Sequence, residues 1–90
     1  MAKKIAVLVR DRQGEGLRMG LGLTLANDII EVFVLDRKIE DTEGNRLNLE
    51  MLGDMKIKLY TNQKANTAIE YISTKELAQK VLEYDHILPY

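Results

Sequence analysis

The chain has 90 residues, 46% of them hydrophobic and 30% charged, with a formal net charge of −1; this is the balance of one small globular domain spanning residues 1–90 and excludes a disordered chain. No long basic run supports contact with a nucleic-acid backbone, so no nucleic-acid partner is expected. The absence of cysteine excludes a disulfide scaffold, a cysteine zinc site and thiol chemistry.

The N-terminal MAKKIAVLVR places two lysines before an apolar run, as a signal peptide would. The run is short, ends at a charged residue and is followed by no small-residue cleavage site, so it reads as a first strand, Lys4–Val9. No apolar segment reaches the roughly 18 residues needed to span a bilayer, and a cytoplasmic protein without a membrane partner is expected. Residues 17–27 lack strand alternation, and Leu17, Leu21 and Leu25 recur at helical spacing, which predicts a helix. Residues 29–35 (IIEVFVL) form a second buried strand, interrupted only by Glu31. Strand, helix and strand in this order make a right-handed βαβ unit.

Residues 36–46 (DRKIEDTEGNR) are polar, with Gly44 and Asn45 as a turn signal, and predict an exposed loop. A short helix follows over 47–54, with Leu47, Met51 and Leu52 inward and Gly53 near its end. Residues 56–60 (KIKLY) alternate, which predicts a less buried third strand with Ile57 and Leu59 on one face and Lys56, Lys58 and Tyr60 on the other. After the polar connection 61–67, residues 68–72 (AIEYI) are a candidate fourth strand. Ser73 followed by Glu76 has capping-box spacing. It opens a helix to about Tyr84 with Leu77, Val81, Ala78 and Leu82 inward. His86, Ile87, Leu88 and Pro89 form a final strand that proline confines to an edge or an end. This order predicts an α/β fold: three layers, α/β/α, around a mostly parallel sheet of four or five strands.

Residues 10–28 (RDRQGEGLRMGLGLTLAND) raise the question of a phosphate loop. A dinucleotide fingerprint needs G-x-G-x-x-G, but three residues separate Gly16 from Gly20. The Gly-Lys-Ser/Thr ending of a P-loop is absent as well. Asp36 ends the second strand where a ribose-binding acid would stand, a common place for aspartate. Gly14 and Gly16 are expected to turn the chain; Gly20 and Gly22 let the helix approach the sheet or a neighbouring subunit. The alternative is that N–H groups at the start of this helix hold a small anion, with Arg10, Arg12 or Arg18 nearby. No cofactor is expected.

Other chemistry-bearing residues form no catalytic constellation. His86 is the single histidine, and no serine or cysteine is tied to it or to Asp85 by any motif. Glu40, Asp41 and Glu43 lack calcium-loop spacing and read as a solvated loop. Asp11, Glu15, Asp28 and Glu31 show no carboxylate-pair pattern. Met19, Met51 and Met55 suit core or interface gaps. A phosphorelay receiver needs an acidic pair after the first strand and an aspartate after the third. Here Asp11 stands alone, and Tyr60 and Thr61, not an aspartate, stand at the end of the third strand.

Three stretches together resemble the DsrE/DsrF family, which includes TusD-type sulfur-relay subunits. They are KKIAVLVRD with GEGLRMGLGLTLAND, then IIEVFVLD, and above all the C-terminal AIEYISTKELAQKVLEYDHILPY. The resemblance implies a small α/β/α domain with flavodoxin-like layering that assembles into dimers, trimers or hexamers, alone or with related subunits. Sulfur-handling members carry a persulfide cysteine after the third strand; the matching place here is Thr61, Asn62 and Gln63, where no thiolate can form. The resemblance therefore implies a non-catalytic oligomeric subunit. The alternative is a small-ligand or anion-binding protein, or an enzyme, with its site in the loops at the carboxyl ends of the strands. Its candidate residues are Arg10, Gly14, Gly16, Asn62 and Lys64.

Overall fold

A computed structural model describes residues 3–23, 29–67 and 69–90. Five strands are arranged as one sheet: β1 (Lys4–Val9), β2 (Ile29–Val34), β3 (Lys58–Thr61), β4 (Glu70–Tyr71) and β5 (His86–Pro89). Their order is β4-β3-β2-β1-β5 and every adjacent pair is parallel. The helices are α1 (Gln13–Leu23), α2 (Glu43–Asp54) and α3 (Thr74–Lys80), the last continued by a 3-10 turn over Val81–Glu83.

Strand alternation divides the core into two layers. Ile5, Val7 and Val9 of β1 and Ile30, Val32 and Val34 of β2 face Leu17 of α1 and Leu52 of α2. The residues between them, Ala6 and Phe33, join Leu35, Tyr60, Ile72 and Leu77 of α3 on the other side. The two helices α1 and α2 pack against each other. The result is the expected α/β/α sandwich, with β1 and β2 covered on both faces.

Several local expectations are corrected. Gly14 and Gly16 lie inside α1, not in a turn before it. Arg12, held to the Tyr90 carbonyl through its N–H, already accepts the Gly16 N–H at 2.9 Å, so the helix starts immediately after the strand. Leu17 is buried and Leu21 packs beside it, while Leu25 and the predicted end of this helix lie outside the described residues. Gly20 does approach the sheet, since a Cβ there would stand 3.0 Å from Val32 Cγ2, whereas nothing lies near Gly22.

Helix α2 begins earlier than expected. The Thr42 side chain caps it by accepting the Asn45 N–H at 3.1 Å, so Gly44 and Asn45 form its first turn. This changes which face is inward. At about 100° per residue, buried Asn45 and Leu52 share a face with half-buried Leu49, and Leu47 and Met51 fall on the opposite side, 53% and 51% exposed. Tyr60, expected on the face shared with Lys56 and Lys58, is buried because α3 covers it there, and its ring stacks on Phe33 at 5.2 Å between centroids.

The capping box at Ser73 and Glu76 forms as predicted. Leu77 points inward, but Ala78 is exposed and Leu82 is 84% exposed, because the helix tightens into the 3-10 turn before a second inward row can form. The fourth strand is reduced to Glu70 and Tyr71; Ala68, its expected start, is outside the described residues. Among the described residues no helix joins β3 to β4. Two consecutive turns, Asn66 N–H to the Gln63 carbonyl and Ile69 N–H to the Asn66 carbonyl, carry the chain across instead.

Candidate functional site

The carboxyl ends of β1, β2 and β3 bring three loops together, and polar side chains join them. Asp36, just past β2, has a positive φ of 67°, a backbone conformation that aspartate tolerates better than most residues. Its carboxylate accepts from Arg10 Nε at 3.1 Å and from Asn62 Nδ2 at 3.0 Å. Its backbone N–H donates to Asn62 Oδ1 at 2.6 Å. Asn62 also reaches Thr74 Oγ1, at 3.3 Å, at the start of α3. Asn62 first and Arg10 second hold the Asp36 carboxyl below its ordinary value.

The segment from Arg37 to Glu40 is held on both edges by buried amides. Asn66 Nδ2 donates to the Arg37 carbonyl at 3.0 Å, and Asn66 Oδ1 accepts the Ile39 N–H at 2.8 Å. From the other side, Gln13 Nε2 donates to the Lys38 carbonyl at 3.2 Å and Gln13 Oε1 accepts the Glu40 N–H at 2.9 Å. Alternate residues thus bond in opposite directions, as in a strand with two neighbours. Asn45 Nδ2 adds a bond to the Glu40 carbonyl at 3.1 Å, and Thr61 Oγ1 accepts from Asn66 at 3.0 Å. Gln13, Asn45, Thr61 and Asn66 account for most of the buried polar residues described, and they fix one loop.

The five candidate residues separate. Arg10 and Asn62 meet at Asp36. Gly14 lies in the first turn of α1, bordering a cleft of about 310 Å³ that the first turn of α2 also borders. That cleft holds Asp11, Glu15 and Glu40 alongside Arg12 and Arg18, so its field is mixed in sign. Arg12 pairs with Glu15 at 3.5 Å, Asp11 pairs with Arg37 at 2.9 Å, and Arg18 Nε donates to the Gly14 carbonyl at 3.3 Å. Gly16 is a packing residue: a Cβ would stand 2.7 Å from Val9 Cγ2 and 3.2 Å from Tyr90 Cβ. Lys64 lies over the Tyr71 ring, 5.5 Å from its centroid, beside β4.

A second polar cluster lies on the α3 side of the sheet. Glu31, only 4% exposed within β2, accepts the Tyr84 hydroxyl and lies 3.7 Å from Lys80 Nζ. Burial first, and the Glu31 carboxylate second, push the Tyr84 phenol far up and keep it neutral. Lys80 also stands over the Tyr60 ring at 5.1 Å. Glu31 was visible in the sequence only as a break in an apolar run; its partners are about fifty residues further along the chain.

Among the described residues no group of three or more histidine, aspartate or glutamate side chains is placed to hold a metal ion. His86 is exposed on β5. No described helix is long and apolar enough to cross a membrane. In comparisons with known proteins, no family model and no curated protein matches this chain.

Proposed function

We propose that this chain is a non-catalytic interaction subunit of the DsrE-like kind, working in the cytoplasm as a homo-oligomer or with related subunits. The observation that supports this reading is the outer face of α2. Leu47 and Met51 on α2, with Met55 at the cap that ends it, are 53%, 51% and 49% exposed, an exposed apolar strip along and just past the helix. Such a stripe in water is unfavourable unless a partner covers it, and methionine adapts readily to a partner's surface. The absence of cysteine from these residues leaves persulfide chemistry to another chain in such an assembly.

The test is native mass by light scattering behind a sizing column. A particle heavier than the 10.3 kDa monomer, reduced by Met51→Lys, is expected; a monomer at high concentration overturns the reading. A second reading, a small-ligand site at the carboxyl ends of the strands, is favoured by the meeting of Arg10 and Asn62 at Asp36. For that site Arg10→Ala with Asn62→Ala is the informative pair, because Gly16→Val would disturb packing against Val9.

A further inference from the structure

The outer face of α2 carries charge of one sign. At about 100° per residue, Glu43, Glu50 and Asp54 fall in a row beside Leu47 and Met51, and all five are exposed. The three carboxylates enter no ion pair with a described residue. Arg46, the one basic residue of α2, is already paired with Asp41. The face is therefore an apolar strip edged by uncommitted negative charge.

This arrangement disfavours contact of α2 with its own copy. In a two-fold interface the same patch stands on both sides. The carboxylates of one copy would meet those of the other, and like charges brought together in an interface oppose binding. What the face fits is a surface both apolar and positive.

The chain carries such a surface on the other side of its sheet, at the amino ends of β2 and β3. Ile29 is exposed and leaves the same face of β2 as Glu31. Lys58 is opposite Glu31 in register and shares that face. Carrying the register back by two residues brings Lys56 level with Ile29. Both lysines are exposed and pair with no described acid. Glu31 does not neutralise them, because Tyr84 and Lys80 already hold it.

We propose that α2 of one copy docks on the Ile29, Lys56 and Lys58 surface of a second copy. Leu47 and Met51 cover Ile29, and the carboxylates of α2 meet the two lysines. This contact rests on the reading of α2 as an interface and adds the surface that α2 meets. The two patches lie on opposite faces of one chain, so the contact is head to tail. It closes into a ring or runs on as an open chain, and does not end as a two-fold dimer.

The experiment is light scattering behind a sizing column on the full chain and on two variants. Glu50→Lys with Asp54→Lys reverses the charge along α2. Lys56→Glu with Lys58→Gln removes the positive surface; position 58 is made neutral because a carboxylate there would face Glu31. All four side chains are exposed, so far-UV circular dichroism should match that of the parent. Glu43→Lys with Glu50→Lys serves instead should Asp54 prove necessary to the end of α2. Each variant alone should assemble with a dissociation constant about tenfold higher or more. An equimolar mixture of the two should recover the heavier particle, because the intact α2 of one meets the intact lysines of the other. A parent chain that stays monomeric at high concentration overturns both the contact and the reading beneath it. Variants that assemble as well as the parent, or that stay apart when mixed, overturn the contact alone; Met51→Lys reports separately on α2 as an interface.

Discussion

Asp36 and Asn62 bond each other in both directions: the Asp36 N–H donates to Asn62 Oδ1 at 2.6 Å, and Asn62 Nδ2 donates to Asp36 Oδ1 at 3.0 Å. This reciprocal pair ties the end of β2 to the end of β3 and holds Asp36 in its left-handed backbone conformation. It also stabilises the ionised carboxylate, so the folded-state pKa lies below the ordinary value of 3.8.

The sign follows from proton linkage. The contribution of a depressed carboxylate is present above its unfolded pKa and is lost as pH falls through the lower, folded value. Asn62→Ala should therefore raise the Asp36 titration midpoint toward 3.8. Carboxyl-carbon NMR reads this directly, and an unmoved midpoint would show that Asn62 is not the dominant cause.

Asn66→Ala removes a buried amide that serves Arg37, Ile39 and Thr61 together. The Ile39 N–H and the Arg37 carbonyl lose their partner, at about 1–3 kcal/mol for each group left buried and unpaired. An unfolding free energy lower by about 2 kcal/mol, seen as a lower urea midpoint, is expected, and Gln13→Ala should act in the same direction. A midpoint equal to that of the parent chain would mean that water replaces the amide at no cost.

The glycines of α1 should respond with opposite signs. Gly16→Ala sets a methyl group 2.7 Å from the fully buried Val9, an overpacking that costs about 1–3 kcal/mol. Gly22 has open space around it, so Gly22→Ala should stabilise the helix by up to about 1 kcal/mol. Thermal melts of the two variants decide the matter, and a stabilised Gly16→Ala would place α1 further from β1 than described here.

Tyr84→Phe leaves Glu31 buried with Lys80 as its remaining ionic partner. A loss of about 1–3 kcal/mol is expected in chemical denaturation. The double change Glu31→Leu with Lys80→Met should restore part of it, since a buried ion pair is often replaceable by apolar packing. If Tyr84→Phe is neutral, the hydroxyl contributes nothing beyond what Lys80 supplies.

Features set by neighbours in sequence were legible, and features set across the sheet were not. The apolar runs of β1 and β2 show their composition within six residues, and the Ser73–Glu76 box joins residues three apart, so each carries its own local signal. The start of α2 was hidden inside a polar stretch that reads as loop; Thr42 alone marks it. Missing it rotated the helix and put Leu47 and Met51 on the wrong side. Arg10 and Asn62 were readable as strand ends, but the aspartate that joins them was not, since strand-end aspartates are common. Gln13 and Asn66 had no local signature at all: their partners lie 25 to 29 residues away, and one amide among many polar residues does not announce burial.

The placement of β5 has a kinetic consequence. Strand β1 takes one neighbour, β2, from the next element of the chain and the other, β5, from the far end of the sequence; Lys4 and Asp85, bonded at the start of that second seam, are 81 residues apart. Until β5 docks, the apolar strand β1 has a bare edge with unpaired N–H and C=O groups. Closing so long a loop is slow compared with forming the first βαβ unit. Refolding should therefore pass through a stage in which that edge can pair with another molecule, and its yield should fall as protein concentration rises.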